Sequence, residues 1–102
     1  MTIEIQDHPD RSRYEILVDG ELAGLADYRS DGAVIDLPHT EIAEAFGGQG
    51  LASKLIAAVL DDARDRGLAV LPHCPFVRAY IAKHPDYLGL VPTERRAEFD
   101  LA

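Results

Sequence analysis

The apolar residues of this chain change their spacing once, at three glycines that lie between positions 47 and 50. Before these glycines, apolar residues fall in short runs separated by turn-forming residues, which is typical of β-strands. After them, Leu51, Leu55, Val59 and Ala63 recur every four residues, so they lie on one face of a helix. The chain is therefore predicted to have a strand-rich first part and a helical second part.

Four strands are predicted before the glycines. Asp19-Gly20 separates the second strand from the third, and Asp-Gly between apolar runs indicates a β-hairpin because both turn positions need positive φ. Pro38 has no backbone N–H and marks a bulge or an edge in the fourth strand. The predicted strands are Thr2–Gln6, Tyr14–Val18, Glu21–Tyr28, and Ala33–Leu37 with its continuation His39–Ile42.

Two helices with a strand between them are predicted in the second part. The first helix begins at Leu51 and ends before Gly67. Leu68–Leu71 forms a buried strand, and a strand–helix–strand unit implies parallel pairing with a right-handed crossover. The second helix covers Phe76–Lys83, and Leu88–Val91 is predicted as a last strand. We therefore expect an α/β (α+β) fold with a mixed, mostly antiparallel sheet around a central β-α-β unit.

Length and charge exclude several classes of protein. The 102 residues suffice for one domain, predicted over residues 1–92, with a loose polar tail over residues 93–102. With 18 acidic and 10 basic residues the net charge is −8, so we expect no nucleic-acid partner. The acidic first ten residues do not resemble a signal peptide, and no apolar run is long enough for a bilayer, so we expect no membrane association.

Cysteine and histidine usage bears on the compartment and on metal binding. Cys74 is the sole cysteine, so no intrachain disulfide can form, and we expect a cytoplasmic protein. The four histidines show no zinc-ligand spacing, so we expect no metal site.

The glycine cluster Gly47-Gly48-Gln49-Gly50 lies between a predicted strand and a predicted helix. Glycine lets the backbone turn sharply, and the unpaired amides at a helix N-terminus form a favourable site for a phosphate or pyrophosphate. No Ser, Thr, Asp or Asn precedes the helix as a cap. A flexible turn with hydrated amides fits the local sequence equally well. The motif is neither a Walker loop nor the dinucleotide fingerprint.

Four segments together resemble a minimal branch of the GNAT acetyltransferase superfamily, which keeps the acetyl-CoA half of the fold in about a hundred residues. They are His39–Ile42, Gly47–Ala52, Cys74–Val77 with Tyr80-Ile81, and His84–Tyr87. The resemblance implies a truncated GNAT-like fold and acetyl-CoA as co-substrate. It also implies that the fourth strand splays from its parallel neighbour and pairs with pantetheine. The implied CoA-binding residues are Ile42, Gly47, Gly48, Gln49, Gly50, Leu51 and Ala52.

Two features depart from the superfamily pattern. Gly47 stands where Gln or Arg is usual, so a side chain that helps hold the phosphates is missing. The long helical segment usual between the first two strands is also absent, and in larger relatives that segment helps build the acceptor pocket.

Four residues are candidates for catalysis. Cys74, at the predicted N-cap of the second helix, is either an acyl-carrying nucleophile or a residue beside the thioester, whereas free cysteines are otherwise often buried hydrophobes. Tyr80 matches the superfamily's tyrosine that protonates the leaving thiolate, and otherwise is a core residue. His39 and Glu41 share one face of a strand, where either could deprotonate an amine, or both could be solvated; histidine suits base work near neutrality.

The predicted function is acetyl-CoA-dependent N-acetylation of a small amine or a lysine-bearing acceptor, by a monomer or weak homodimer. The alternative is a CoA-binding module without turnover, acting as a regulator or a subunit. Gly47 and the missing segment favour the module, whereas Cys74 at a helix cap favours the enzyme.

Overall fold

Five strands form one sheet in the computed structural model, which describes residues 2–102. The strands lie in chain order across the sheet, the first four antiparallel and the last parallel to its neighbour. This arrangement confirms the predicted mixed, mostly antiparallel fold with a central β-α-β unit. The strands are β1 (Ile3–His8), β2 (Arg13–Val18), β3 (Glu21–Ser30), β4 (Val34–Ile42) and β5 (Ala69–Leu71), and the helices are α1 (Leu51–Asp65) and α2 (Pro75–Lys83).

The hairpin between β2 and β3 forms at the predicted turn. Asp19 has φ 51° and Gly20 has φ 83°, so both turn positions adopt positive φ. This geometry matches the right-handed twist of the flanking strands and fixes their register.

A bulge interrupts β4 at the predicted proline. Asp27 of β3 pairs with His39, but Arg29 pairs with Asp36, so β4 has one extra residue between these pairs. Pro38 lies in this bulge, where its missing N–H costs no ladder hydrogen bond. The bulge bends β4 near the point where it leaves β5.

Helix α1 covers one face of the sheet and ends as the sequence predicts. Its apolar stripe is fully buried against the strands, with Leu55, Ile56 and Leu60 all 0% exposed. Gly67, with φ 70°, follows the helix, and the Leu68 N–H donates to the Ala63 carbonyl at 2.9 Å. This is the hydrogen bond of a Schellman motif, which turns the chain directly into β5.

Two predictions about the C-terminal region are wrong. Leu88–Val91 is not a strand, because Pro85–Leu90 forms successive 3₁₀ turns whose apolar side chains pack, partly buried, against the core. Residues 93–102 are not loose: two short 3₁₀ turns place Phe99 in the core at 2% exposure. Leu101 also packs against the core, and Arg96 Nε donates to the Val91 carbonyl at 3.1 Å, so apolar contacts and a hydrogen bond dock this polar segment.

Candidate active site

A cavity of about 300 Å³ opens where β4 leads into α1. A 3₁₀ turn, Glu44–Phe46, redirects the chain after β4, and the glycines follow. Gly48 (φ 79°) and Gly50 (φ 69°) adopt backbone conformations that L-residues rarely occupy. The cavity brings together all seven residues predicted to bind CoA, and its lining comprises Ile42, Phe46, Gly47, Gly48, Gln49, Gly50, Leu51, Ala52, Ser53 and Phe76.

The N-terminus of α1 faces this cavity without a side-chain cap. Gly50 occupies the N-cap position, and no side chain of the described residues bonds there. The Lys54 N–H donates to the Gly50 carbonyl at 3.2 Å as the first helical bond, so the amides of Leu51, Ala52 and Ser53 precede the ladder. A Cβ built on Gly48 or Gly50 would meet no atom within 4 Å, so the loop borders open space. These are the features of an anion site at a helix N-terminus.

The strands β4 and β5 separate immediately after Asp36, which pairs with Leu71. One further hydrogen bond joins the two segments, from the Cys74 N–H to the Leu37 carbonyl at 2.8 Å. Beyond it, β4 continues to Ile42 without a β5 partner. A cleft therefore runs along β4 from the glycine loop to Cys74.

Cys74 lies at the closed end of this cleft, at the N-cap of α2. Its side chain is only 5% exposed, and Sγ donates a weak hydrogen bond to Oγ1 of Thr40 at 3.6 Å. Cys74 therefore acts as a buried hydrogen-bond donor in this structure. Thr40 was not predicted as a site residue, although strand alternation places it on the same face as Ile42, which lines the cavity.

His39 and Glu41 form a pair on the opposite face of β4. His39 Nε2 lies 2.9 Å from Glu41 Oε1, and both side chains are more than half exposed. The shared face was predicted correctly. The two residues face away from Thr40 and Cys74, so they border the cleft from the other side of the sheet.

Tyr80 lies on α2, one turn beyond Phe76, and is not part of the cavity lining. Its ring stacks on His84 with centroids 4.0 Å apart. Tyr80 is half-buried on the helix face that also carries Phe76. This position fits both a proton donor to the leaving thiolate and an ordinary core residue.

Phe46 and Phe76 supply apolar walls to the cavity and were not predicted. Phe76 is 40% exposed, which is unusual for a large hydrophobic side chain in a small domain. A signal was present in the sequence, because Val77 and Ile81 lie four residues apart on the buried face of α2 and Phe76 lies off that stripe.

Residues 13–90 match the family described as GCN5-related N-acetyl-transferase. The chain therefore belongs to the GCN5-related N-acetyltransferase family, and the resemblance noted from its motifs is confirmed. It is 33% identical over 52 residues to Protein NATD1 of Gallus gallus, a match that covers 51% of this chain and 47% of that protein. The chain spans about half the length of the curated relatives it matches.

Solved structures show the same fold. A GCN5-like putative N-acetyltransferase from Staphylococcus aureus superposes with a TM-score of 0.65 at 25% identity, over 87% of each chain. The N-acetylglutamate synthase of Neisseria gonorrhoeae, solved with coenzyme A and N-acetyl-glutamate, has a TM-score of 0.51 at 15% identity, covering 94% of this chain and 26% of that one. The second likeness concerns the fold alone.

None of the helices in residues 2–102 combines the length and apolar character needed to cross a membrane. The same residues contain no group of three or more His, Cys, Asp or Glu side chains arranged to hold a metal ion.

Proposed function

We propose that this protein transfers the acetyl group of acetyl-CoA to an amine. The observation that carries the proposal is the cavity at the N-terminus of α1, which borders the glycine loop and continues as a cleft along β4. An uncapped helix start with open space in front of it suits a pyrophosphate, and a strand edge without a partner suits the amide-rich pantetheine arm. The family of the chain supports the same ligand.

Different residues of the chain bind different parts of acetyl-CoA. The amides that follow Gly50 donate to the pyrophosphate, and Gly48 keeps the approach free of side chains. Ile42 and the exposed edge of β4 hold the pantetheine arm, while Phe46 and Phe76 pack against its apolar parts. The thioester then lies near Cys74, at the closed end of the cleft. The bound acetyl-CoA supplies the activated acetyl group.

The amine attacks the thioester directly in the mechanism we favour. A base on the open face of the sheet takes a proton from the ammonium group, because only a neutral amine is nucleophilic, and the sequence offers His39 and Glu41 as candidates for this base. The C–N bond forms, the C–S bond breaks, and the sulfur leaves as a thiolate that Tyr80 protonates. The second proton of the amine nitrogen then restores the Tyr80 hydroxyl. Burial of Cys74 and its hydrogen bond to Thr40 support a lining role over a covalent one.

The acceptor is proposed to be a small amine or a lysine-bearing molecule. A net charge of −8 supports a cationic acceptor, since long-range attraction raises the rate of encounter. We further propose that the protein acts in the cytoplasm, where reducing conditions suit a chain whose sole cysteine is unpaired. Its proposed state is a monomer or weak homodimer.

A CoA-binding module without turnover is the second candidate. Gly47 offers no side chain to the phosphates, and β1 connects to β2 through a single short turn, Pro9–Arg11, in place of a longer segment. Detection of an acetylated amine separates the two candidates, because the module binds CoA and forms no product.

Thermal unfolding with and without CoA tests the site. A ligand present at about 100 times its Kd stabilises the folded state by about 2.7 kcal/mol, which shifts the Tm by several degrees. Gly50→Glu should abolish this shift, because it places a carboxylate at the phosphates. The absence of a shift in the parent protein at millimolar CoA would contradict the assignment.

Gly32→Glu is the matched control. Gly32 lies in the turn between β3 and β4 and has φ 91°, so the substitution imposes comparable backbone strain of about 1–2 kcal/mol. It should lower the Tm and leave the CoA-induced shift intact. Loss of the shift in both variants would indicate general destabilisation and not a local effect.

A further inference from the structure

A second histidine–carboxylate pair lies where β4 and β5 separate. Nδ1 of His73 is 2.6 Å from Oδ1 of Asp36. Asp36 is the last residue of β4 that pairs with β5, and His73 directly precedes Cys74. The Cys74 N–H donates to the carbonyl of Leu37, the residue after Asp36. The pair therefore adjoins the closed end of the cleft.

The side chain of Asp36 lies on the sheet face opposite the core, because its neighbours Ile35 and Leu37 are buried in the core. A cavity of about 270 Å³ opens beside it on that face. Its walls carry two carboxylates and one guanidinium, which gives a polar approach for a cationic group. The lining residues are Arg29, Ser30, Asp31, Val34, Asp36 and Leu71.

This pair is held more firmly than the His39–Glu41 pair. The Asp36 side chain is 23% exposed, whereas that of Glu41 is 61% exposed. Asp36 and His73 come from different parts of the fold, β4 and the segment between β5 and α2, and the His73 ring also packs edge-on against Phe99, with centroids 5.0 Å apart. A base that is fixed before the substrate binds loses less rotamer entropy on reaction.

Charged groups surround His73 on three sides. Asp36 of β4 accepts its Nδ1–H, and the Arg95–Glu98 ion pair belongs to the C-terminal segment whose Phe99 packs against the His73 ring. Arg78 of α2 donates to the backbone carbonyl of His73 at 3.4 Å. Two of the surrounding groups are anionic and two are cationic, so the local charge is balanced.

We propose that His73, oriented by Asp36, is the base that deprotonates the attacking amine, in place of His39 or Glu41; this assignment rests on the proposed function. Because the carboxylate of Asp36 takes the Nδ1–H, Nε2 keeps a free lone pair. Nε2 accepts one proton from the ammonium group of the acceptor. The amine nitrogen then bonds to the acetyl carbon, and the C–S bond breaks with the electron pair going to sulfur. The second proton of the nitrogen passes to the thiolate, which leaves a neutral amide and CoA as the thiol.

Bromoacetyl-CoA tests this placement without the acceptor being known. Its electrophilic carbon stands at the acetyl methyl, so it alkylates a nucleophile beside the thioester. In Cys74→Ala protein we expect an adduct on His73, formed when the imidazole nitrogen displaces bromide and located by peptide mass spectrometry. Excess CoA should prevent the adduct, and the exposed His84 should stay unlabelled. Cys74→Ser provides a second background without a thiol.

The site of labelling decides whether His73 is the base. An adduct on His39, or no adduct on His73 in a protein that CoA still stabilises, overturns the role of His73 and leaves the proposed function standing. If CoA gives no thermal shift, the proposed function fails as well.

Asp36→Asn tests the positioning role. It should slow the labelling of His73 several-fold, because the imidazole loses the partner that fixes its tautomer, and it should leave the CoA-induced thermal shift unchanged. An unchanged labelling rate would show that Asp36 does not orient His73.

Discussion

Glu15 is a carboxylate on the open face of the sheet that is only 5% exposed. Strand alternation predicts an outward-facing, solvated side chain at this position of β2. In the structure, Arg13 Nε donates to Glu15 at 2.7 Å and Arg11 Nη1 at 3.1 Å, and His8 Nε2 lies 3.2 Å away. The carboxylate is buried on this face because the long neighbouring side chains cover it, and strand alternation alone gives no indication of such cover.

The pKa of Glu15 gives the first prediction of a stability change with pH. Burial alone would raise this pKa, but the hydrogen bonds from Arg13 and Arg11 and the charges of Arg13 and His8 outweigh it, so the pKa is lowered. A carboxyl with a lowered folded-state pKa stabilises the fold above the unfolded-state value of about 4.3, and this contribution disappears as the pH falls through the folded-state value.

Glu15→Gln should therefore reduce the free energy of unfolding at pH 7 by about 1–3 kcal/mol. It should also flatten the loss of stability that the parent protein shows on acidification below about pH 4.3. Urea unfolding at a series of pH values measures both effects. Glu21→Gln, at an exposed glutamate, is the control and should keep the parent profile; identical profiles for the two variants would contradict the role of Glu15.

Helices and strands with strong local sequence signals were predicted well, whereas a segment with only a weak signal was predicted wrongly. The glycines, the apolar stripe and Gly67 together determine where α1 begins and ends, since each acts within one or two turns. Leu88–Val91 carries no such signal: its short apolar run fits a strand or a turn equally. Pro85 begins successive 3₁₀ turns there, and the packing of these turns against the core favours them over a strand.

Gly47 is the position in the loop that tolerates a side chain. Its φ of −63° is ordinary, and a Cβ there would lie 3.4 Å from the Glu44 carbonyl, which is near normal contact. Gly47→Arg should therefore fold normally and tighten CoA binding about tenfold, through charge-assisted hydrogen bonds to the phosphates. Calorimetric titration with CoA measures the change in Kd.

The control for this variant is Gly47→Gln, which adds a side chain of similar reach without charge. Its gain should be smaller, and only the arginine gain should shrink as salt is raised, because screening weakens charge pairs. Unchanged affinity in Gly47→Arg would mean that the phosphates do not lie at this loop.

At the scale of the whole molecule, the order of strands and helices followed from the sequence, but several contacts around the site did not. His73 and Asp36 are separated by 37 positions, and Cys74 and Thr40 by 34. Such pairs depend on the register between β4 and β5 and on the bulge at Pro38, and neither register nor bend is fixed by local periodicity. No local pattern in the sequence predicts that the polar segment 93–102 packs beside His73.

Phe99 tests whether that segment is part of the domain. Its ring is 2% exposed, belongs to the core cluster and packs against the His73 ring. Phe99→Ala should lower the free energy of unfolding by about 3–5 kcal/mol, and Phe99→Leu by less than about 1.5 kcal/mol, because leucine refills most of the volume. Urea denaturation gives both values, with the exposed Glu94→Ala as a control near zero. A loss below about 1 kcal/mol in Phe99→Ala would mean that the segment contributes little to the fold, since ordinary surface changes fall within about 0.5 kcal/mol.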